Sequence, residues 1–198
     1  VSPFEALVLF AFLMALSLGL VLTLNRETLV LAFVGGAIAV TYPLAKRFTY
    51  LPQVYLGLAF SWGIPMAFAA QDKTVGALAW SLVLANLLWT VAYDTMYAMA
   101  DRPDDLKAGI KSSAILFGHF DLVINAVLQA LALITLVLVG QHLGLNSWFY
   151  AGLAGAGATA FYQNRLCAER DRTQCLKAFL NNIWFGGFVF AGVVLAYI

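Results

Sequence analysis

The sequence is poor in charged residues: Asp, Glu, Lys and Arg make up only 11% of its 198 positions, and 63% of positions are hydrophobic. A soluble domain carries about 25% charged residues, so the composition excludes an ordinary soluble protein. The basic residues are few and the aromatic residues lie in apolar runs, which excludes a nucleic-acid-binding protein. The only two cysteines, Cys167 and Cys175, lack CxxC spacing and a neighbouring histidine. We therefore expect reduced, unpaired thiols and no cysteine metal site.

Instead of charged residues, the sequence contains long apolar runs. A run of about 20 residues crosses roughly 30 Å of hydrocarbon as a helix. Seven such runs occur, at residues 4–24, 28–45, 53–70, 75–93, 122–140, 148–166 and 178–197. They predict an all-α, polytopic transmembrane helical bundle in a lipid bilayer, with residues 1–198 forming a single membrane domain. Ser2, Pro3 and Glu5 have the spacing of a capping box that opens the first helix.

The basic residues between these runs segregate to one face. If every second connection lies on the same side of the membrane, one face carries nine basic residues: Lys46, Arg47, Arg102, Lys107, Lys111, Arg165, Arg170, Arg172 and Lys177. The opposite face carries Arg26 and Lys73. By the positive-inside rule the more basic face is cytoplasmic, with Val1 inside and Ile198 outside.

An acidic segment interrupts the apolar pattern on that face. Residues 94–105 read DTMYAMADRPDD. At 3.6 residues per turn, Asp94, Asp101 and Asp105 share one stripe of a helix, and Tyr97 lies close to it. Clustered carboxylates need a cation, and oxygen ligands with open positions suit Mg²⁺, which also takes substrate phosphates. Lys107 and Lys111 follow one turn apart, so the segment predicts a metal-bridged diphosphate site.

Pro103 supports a different interpretation of the same segment. Proline is unfavourable inside a helix, so the helix is expected to break near Arg102 and a short helical stretch to occupy residues 106–117. Asp101, Asp104 and Asp105 would then be capping and first-turn acids. Capping does not explain Asp94, which ends a strongly apolar run. We therefore favour the metal-bridged diphosphate site.

A second polar segment lies between the second and third runs. Residues 41–53 read TYPLAKRFTYLPQ. Lys46 and Arg47 are explained equally well as positive-inside anchors or as ligands of an anionic substrate, for which arginine offers a bidentate grip.

Other polar and small residues have simpler explanations. The charged segment 165–177 is expected to be a solvated, self-paired turn, although it could attract anionic substrates. Asn86, Asn181 and Asn182 are expected to form interhelical hydrogen bonds. Glycines are expected at close helix contacts; they are Gly35, Gly36, Gly152, Gly155, Gly157, Gly186 and Gly187.

The two polar segments carry a resemblance to a known family. The pattern Asp94-x₂-Tyr97-x₃-Asp101-x₃-Asp105, continued by LKAGIKSSAILFG at residues 106–118, closely resembles the second aspartate-rich motif of the UbiA superfamily of intramembrane prenyltransferases. Residues 41–53 resemble the YPxxKR-T-x-LPQ segment of the same enzymes. The nearest likeness is to the 4-hydroxybenzoate polyprenyltransferases, and it extends over essentially the entire chain.

The resemblance implies a fold of nine spans around a central cavity, of which this chain would contain seven as the C-terminal part of the domain. It also implies a first aspartate-rich motif and two helices upstream of residue 1, and leaves open whether the fragment is active without them. The implied localisation is a bacterial inner membrane, with the active site facing the cytoplasm.

The implied reaction is Mg²⁺-assisted transfer of a polyprenyl group from polyprenyl diphosphate to the ring of 4-hydroxybenzoate, a step of ubiquinone biosynthesis. Asp94, Asp101 and Asp105 would bind the metal and carry catalysis. The substrate-binding residues would be Lys46, Arg47, Tyr97, Lys107 and Lys111, with Arg47 favoured for the carboxylate of the aromatic acid. Two alternatives remain: another acceptor, such as homogentisate, a naphthoate or haem, or a divalent-cation transporter. A transporter should carry carboxylates near the midplane of several spans.

Overall fold

The computed structural model describes residues 2–71 and 74–198. Val1 and Lys73, which the charge pattern places on opposite faces of the membrane, lie outside the described residues. The described part folds into helices and contains no β-strand, which confirms the all-α class. The helices are α1 (Pro3–Val21), α2 (Arg26–Thr41), α3 (Ala45–Phe48), α4 (Pro52–Ser61), α5 (Gly63–Ala70), α6 (Ala77–Ala108), α7 (Ser113–Phe117), α8 (Asp121–Leu143), α9 (Ser147–Leu166), α10 (Arg172–Leu180) and α11 (Asn182–Ala196).

Six of the seven predicted spans coincide with helical segments that are long and apolar enough to cross a membrane. Within the described ranges these segments are Pro3–Val21, Arg26–Phe48, Pro52–Ala70, Ala77–Ala108, Ser113–Leu143 and Arg172–Ala196. The seventh prediction, residues 148–166, corresponds to the 20-residue helix α9, which is not among them. Polar side chains such as Gln163 lower its hydropathy. Gln163 is nevertheless buried, because it bonds Gln129 of α8 and Asn181 at the end of α10.

The start of the chain follows its local sequence. Ser2 caps α1: its hydroxyl accepts from the Glu5 backbone N–H at 3.2 Å, and Glu5 accepts from the Ser2 backbone N–H at 2.7 Å. Pro3 occupies the first turn, where its missing N–H costs nothing. The predicted capping box is therefore confirmed.

Helix α6 is the element against which α4, α5, α7, α8 and α10 all pack. Its buried face is rich in small residues, including Ala85, Ala92 and Ala98, which let neighbouring helices approach closely in lipid. Towards its end, Met96 and Met99 pack with Cys167 and Cys175 in one buried cluster. Both cysteines are free, as expected.

The break expected near Arg102 does not occur. Helix α6 continues through Pro103 to Ala108, a length of 32 residues. Proline removes one backbone hydrogen bond and crowds the preceding turn, but the side chains on both sides of Pro103 are held by other elements: Arg102 bonds Asp121, and Asp104 bonds Arg172. These tertiary contacts outweigh the local preference.

The single helical stretch expected over residues 106–117 is also wrong. Helix α6 ends at Gly109, which has a φ of 66°, in the left-handed region that glycine enters without a Cβ penalty. The Ile110 backbone N–H donates to the Asp105 carbonyl at 2.9 Å and closes the helix end. A separate short helix, α7, then begins at Ser113.

Glycines provide close helix contacts at some of the predicted positions. A Cβ built on Gly152 of α9 would lie 2.6 Å from the Phe188 carbonyl oxygen and 2.7 Å from the Gly192 Cα, both on α11. Gly155 is similarly crowded by the Phe188 ring, whereas a Cβ on Gly187 would meet nothing within 4 Å. The predicted packing role therefore applies to Gly152 and Gly155 but not to Gly187.

We expect Gly152→Ala to destabilise the α9–α11 contact, because the atoms in the way are backbone and cannot rotate aside. The expected loss is about 1–3 kcal/mol of unfolding free energy. Thermal unfolding of the protein in detergent, followed by circular dichroism, measures it. Gly187→Ala is the matched control, since alanine has open space there and a higher helix propensity; equal unfolding temperatures for the two variants would contradict the prediction.

Candidate functional site

The three predicted aspartates lie along one stripe of α6, near the end that faces the α2–α4 connection. Asp94 and Asp101 are half-buried, and Asp105 is 7% exposed. Asp94 interacts with the side chain of Gln53 and, electrostatically, with Lys46. Asp105 interacts electrostatically with Lys46 and lies beside Ser112, and its Oδ2 atom has no hydrogen-bond partner among the described residues.

Lys46 is the lysine that the fold brings towards Asp94 and Asp105. It lies on the short helix α3, is half-buried, and interacts electrostatically with both Asp94 and Asp105. Arg47, favoured from the sequence for the substrate carboxylate, is exposed on the same turn. Adjacent positions on a helix point about 100° apart, so the two side chains leave α3 in different directions.

The other two predicted lysines make different contacts. Lys107 is exposed and its Nζ atom is 3.9 Å from an Asp104 oxygen. The Nζ atom of Lys111 is 3.4 Å from the Phe48 carbonyl oxygen and 5.2 Å from the centre of the Tyr50 ring. Lys111 thus ties the end of α6 to the α3 segment.

Aromatic and amide groups complete the surroundings of the stripe. The Tyr97 hydroxyl lies near Asp101, and the centre of its ring is 5.1 Å from that of Phe179. Tyr42 lies close to Asp94 and Tyr97. Gln53, 1% exposed, also accepts from the Ser113 backbone N–H at 3.2 Å. Sequence reasoning assigned no role to Tyr42 or Gln53, although both belong to the 41–53 segment that it singled out.

The donor atoms of this site suit a hard divalent cation without forming a closed cage. Within residues 2–71 and 74–198, no group of three or more His, Cys, Asp or Glu side chains is arranged to hold an ion. Mg²⁺ keeps several waters and is usually bound by one or two carboxylates together with substrate phosphates. The stripe, with an unbonded oxygen on Asp105, fits such partial coordination.

Next to the stripe, a buried carboxylate that sequence reasoning missed is bound by two arginines. Asp121, at the first position of α8, is fully buried. The Arg102 guanidinium of α6 donates to Asp121 Oδ2. Arg170 donates from Nε to both Asp121 oxygens at 3.1 Å and from Nη2 to Oδ1 at 2.8 Å. These bonds raise the pKa of Arg170. We call this set of three residues the arginine clamp.

The 165–177 segment is therefore not a self-paired turn. Arg170 reaches α8, and Arg172 reaches α6, where its Nη1 atom is 2.9 Å from an Asp104 oxygen and its Nη2 atom is 3.9 Å from an Asp101 oxygen. The expectation failed because the acidic partners lie 49 and 68 to 71 positions away in the sequence, beyond what local charge pattern reveals. The segment closes over the end of α6.

On the N-terminal side of the aspartates, an apolar cavity of about 320 Å³ lies between α6 and its neighbouring helices. Leu82, Trp89, Leu136 and Phe185 are among its lining residues. Trp89 precedes Asp94 by five positions, or about 7.5 Å along the helix axis. The Trp89 indole N–H donates to Asn182 at 3.1 Å, and Asn86 donates to Ser61 at 2.9 Å, which confirms interhelical bonding for these amides.

Comparisons with known proteins agree with this architecture. The profile of the UbiA prenyltransferase family matches residues 1–196. A 4-hydroxybenzoate octaprenyltransferase of Aeromonas salmonicida is 54% identical over 198 residues, which cover 100% of this chain and 68% of the relative. One of Xylella fastidiosa is 53% identical over 196 residues, covering 99% of this chain and 66% of the relative. The chain thus spans about two thirds of the length of these curated relatives.

Solved structures show the same fold at lower identity. The apo structure of a UbiA homolog from Aeropyrum pernix K1 superposes with a TM-score of 0.84 at 24% identity, covering 100% of this chain and 74% of the other. A digeranylgeranylglyceryl phosphate synthase superposes with a TM-score of 0.74 at 20% identity, over 99% and 70% of the two chains. From the family profile and the curated relatives together, this integral membrane protein belongs to the UbiA prenyltransferase family.

Proposed function

We propose that the protein transfers a polyprenyl group from polyprenyl diphosphate to the ring carbon beside the phenol hydroxyl of 4-hydroxybenzoate, a step of ubiquinone biosynthesis. The observation that carries the proposal is the carboxylate stripe of α6 facing Lys46 at one end of an apolar bundle. The 54% identity to a 4-hydroxybenzoate octaprenyltransferase over the whole chain supports this choice of acceptor.

Enzymes of this family generally use a divalent metal, and we propose Mg²⁺ here, held by Asp94, Asp101 and Asp105. When bound, Mg²⁺ neutralises the negative charge that grows on a departing diphosphate. Lys46 would place an ammonium group against the diphosphate oxygens as a point charge. Lys107 and Lys111, at the same end of α6, stay predicted diphosphate contacts.

The remaining groups would orient the acceptor and protect the allylic cation. Arg47 would bind the carboxylate of 4-hydroxybenzoate through a bidentate pair. The ring face of Tyr97 would stabilise the neighbouring positive charge. The apolar cavity beside Trp89 would receive part of the isoprenoid tail and keep water from the cation.

The charge distribution supports an orientation for this site. The basic residues of the α2–α4, α6–α8 and α9–α10 connections lie at the end of the bundle that carries the aspartates. By the positive-inside rule we propose that this end faces the cytoplasm and that the membrane is a bacterial inner membrane. We further propose that residues 1–198 are the C-terminal part of one prenyltransferase domain.

Asp94→Asn is expected to lower prenyl transfer by roughly 100-fold, the usual order of loss when one preorganised electrostatic contact to the transition state is removed. The assay is product formation in membranes containing the protein, with insertion verified by immunoblot. Glu27→Gln is the control: it also replaces a carboxylate by its amide, at an exposed position in the first turn of α2. Transfer that is unchanged in Asp94→Asn would remove this carboxylate from the mechanism.

The two neighbouring cations are expected to affect different substrates. Lys46→Gln should raise the KM for polyprenyl diphosphate, and Arg47→Gln should raise the KM for 4-hydroxybenzoate. Each shift should be roughly tenfold or more, since a charge-assisted hydrogen bond contributes about 1.5–3 kcal/mol. Steady-state kinetics with each substrate varied in turn measures the split, and the opposite assignment would exchange the proposed roles of Lys46 and Arg47.

Chelation and a change of acceptor test the reaction itself. With 4-hydroxybenzoate and a long polyprenyl diphosphate, product should disappear on addition of EDTA and return with excess Mg²⁺. Homogentisate and a dihydroxynaphthoate serve as competing acceptors under the same conditions. Product with one of these and none with 4-hydroxybenzoate would keep the reaction type and overturn the proposed acceptor.

A further inference from the structure

The arginine clamp is built around a carboxylate that takes no part in the proposed chemistry. Asp121 is fully buried, and its two partners retain 23% and 36% side-chain exposure, for Arg102 and Arg170 respectively. Burying a carboxylate is costly unless it is paired and hydrogen-bonded. Both oxygens here accept from guanidinium groups, and the Leu122 backbone N–H adds a bond of 2.7 Å to Oδ1. The carboxylate is thus fixed in one orientation.

The clamp holds the elements that carry the proposed metal ligands. Arg102 lies on α6 between Asp101 and Asp105, and its Nη2 atom also donates to the Ala114 carbonyl at 2.7 Å and, more weakly, to that of Gly118 at 3.4 Å. These carbonyls belong to the α6–α8 connection, which places Ser112 against Asp105.

The second arginine extends the clamp to the α9–α10 connection. Arg170 donates to the His119 carbonyl at 3.0 Å as well as to Asp121. Two positions later, Arg172 pairs with Asp104 and reaches Asp101. Arg170 has a φ of 54°, the one positive φ on a non-glycine residue in the described part of the chain. Its backbone thus adopts a conformation uncommon for side-chain-bearing residues.

We propose that Asp121, through Arg102 and Arg170, is the positioning residue that sets the geometry of Asp101 and Asp105 for binding a divalent cation with diphosphate. This inference rests on the proposed function, because it takes the aspartate stripe as the metal site. The clamp fixes the end of α6 against two connections at once, so loosening it would move the carboxylates relative to Lys46 and Ser112. Groups that hydrogen-bond to metal ligands typically change the affinity for the metal 10–100-fold when lost. The clamp acts on the ligands through the backbone of α6 and the α6–α8 connection, so we expect the lower end of that range.

Three clamp variants and one control test the proposal. Asp121→Asn removes the buried charge. Arg170→Gly removes the second arm while suiting the positive φ, which glycine adopts freely, so this variant should fold even if Asp121→Asn does not. Arg170→Lys keeps the positive charge but loses the bidentate hydrogen-bonding geometry of the guanidinium group. Asp171→Asn is the control: it removes a carboxylate charge from the same connection, yet asparagine can cap α10 as Asp171 does by accepting from the Gln174 N–H.

The readout is the binding of Mn²⁺ with inorganic pyrophosphate to the purified protein in detergent, by electron paramagnetic resonance, with circular dichroism to verify folding. We expect Arg170→Gly and Asp121→Asn to raise the Mn²⁺ dissociation constant about tenfold or more, Arg170→Lys to raise it less, and Asp171→Asn to leave it unchanged. In membranes, the Mg²⁺ concentration for half-maximal transfer should rise in the same order while the KM for 4-hydroxybenzoate stays constant.

Folded Arg170→Gly with wild-type Mn²⁺ affinity would overturn the proposal and leave the clamp a structural feature. An equal loss in Asp171→Asn would also overturn it, since a general charge effect would then be sufficient. Absence of Mn²⁺ binding in the wild-type protein would overturn it together with the proposed metal site. If the wild type binds Mn²⁺, the clamp variants weaken that binding and no acceptor is prenylated, the positioning role stands and the proposed function fails.

Discussion

A charge inside an apolar bundle must have a countercharge or a set of hydrogen bonds, and this requirement organises the polar half of the structure. Asp121 meets it with two arginines and a backbone N–H. Asp94 meets it with Lys46 and Gln53. Because Arg170 comes from the α9–α10 connection and Lys46 from the α2–α4 connection, satisfying the carboxylates also draws these connections together at one end of the bundle. The same contacts that make the charges tolerable therefore assemble the site.

Helix α6 can serve this site because packing and chemistry occupy different parts of it. Its first half buries small residues such as Ala85 and Ala92 against neighbouring helices, which fixes the helix by close contact in lipid. Its second half carries the carboxylates, and there Arg102 and Arg172 bond neighbouring elements on its two flanks. A proline in that half is tolerated because tertiary bonds hold the turn that Pro103 weakens. The aspartates thus lie on a helix that neighbouring elements hold in place along its length.

The features that follow from composition and period could be predicted from the sequence. Six spans, the capping box at Ser2 and the shared stripe of Asp94, Asp101 and Asp105 depend on local pattern alone. Helix α9 is less clearly marked by hydropathy, because its buried Gln163 depends on amide partners from other helices. The resemblance of residues 41–53 and 94–118 identified the family, which the comparisons confirm.

What could not be predicted depends on residues far apart in the sequence. The pairing of Asp121 with Arg170 spans 49 positions, and nothing local to either residue marks it. The choice between Lys46 and Arg47 depends on the rotation of the short helix α3, which is set by its contacts rather than its sequence. The end of α6 at Gly109 was missed for the opposite reason: the glycine signal was present, and the break was placed at Pro103.

The charge balance of the proposed site favours partial coordination of a metal ion. If Arg172 is assigned to Asp104, the nearer of its two acidic partners, then Asp94, Asp101 and Asp105 carry three formal negative charges when ionised and Lys46 returns one. The remaining excess is what one divalent cation would balance. A closed cage of three carboxylates would bind the ion without substrate and leave fewer positions for phosphate oxygens. An open stripe, by contrast, lets the diphosphate supply ligands of its own. Metal and diphosphate would then each increase the affinity for the other, as linkage requires of two ligands that share contacts. Lys46 would offset part of the repulsion among the carboxylates in the absence of the ion.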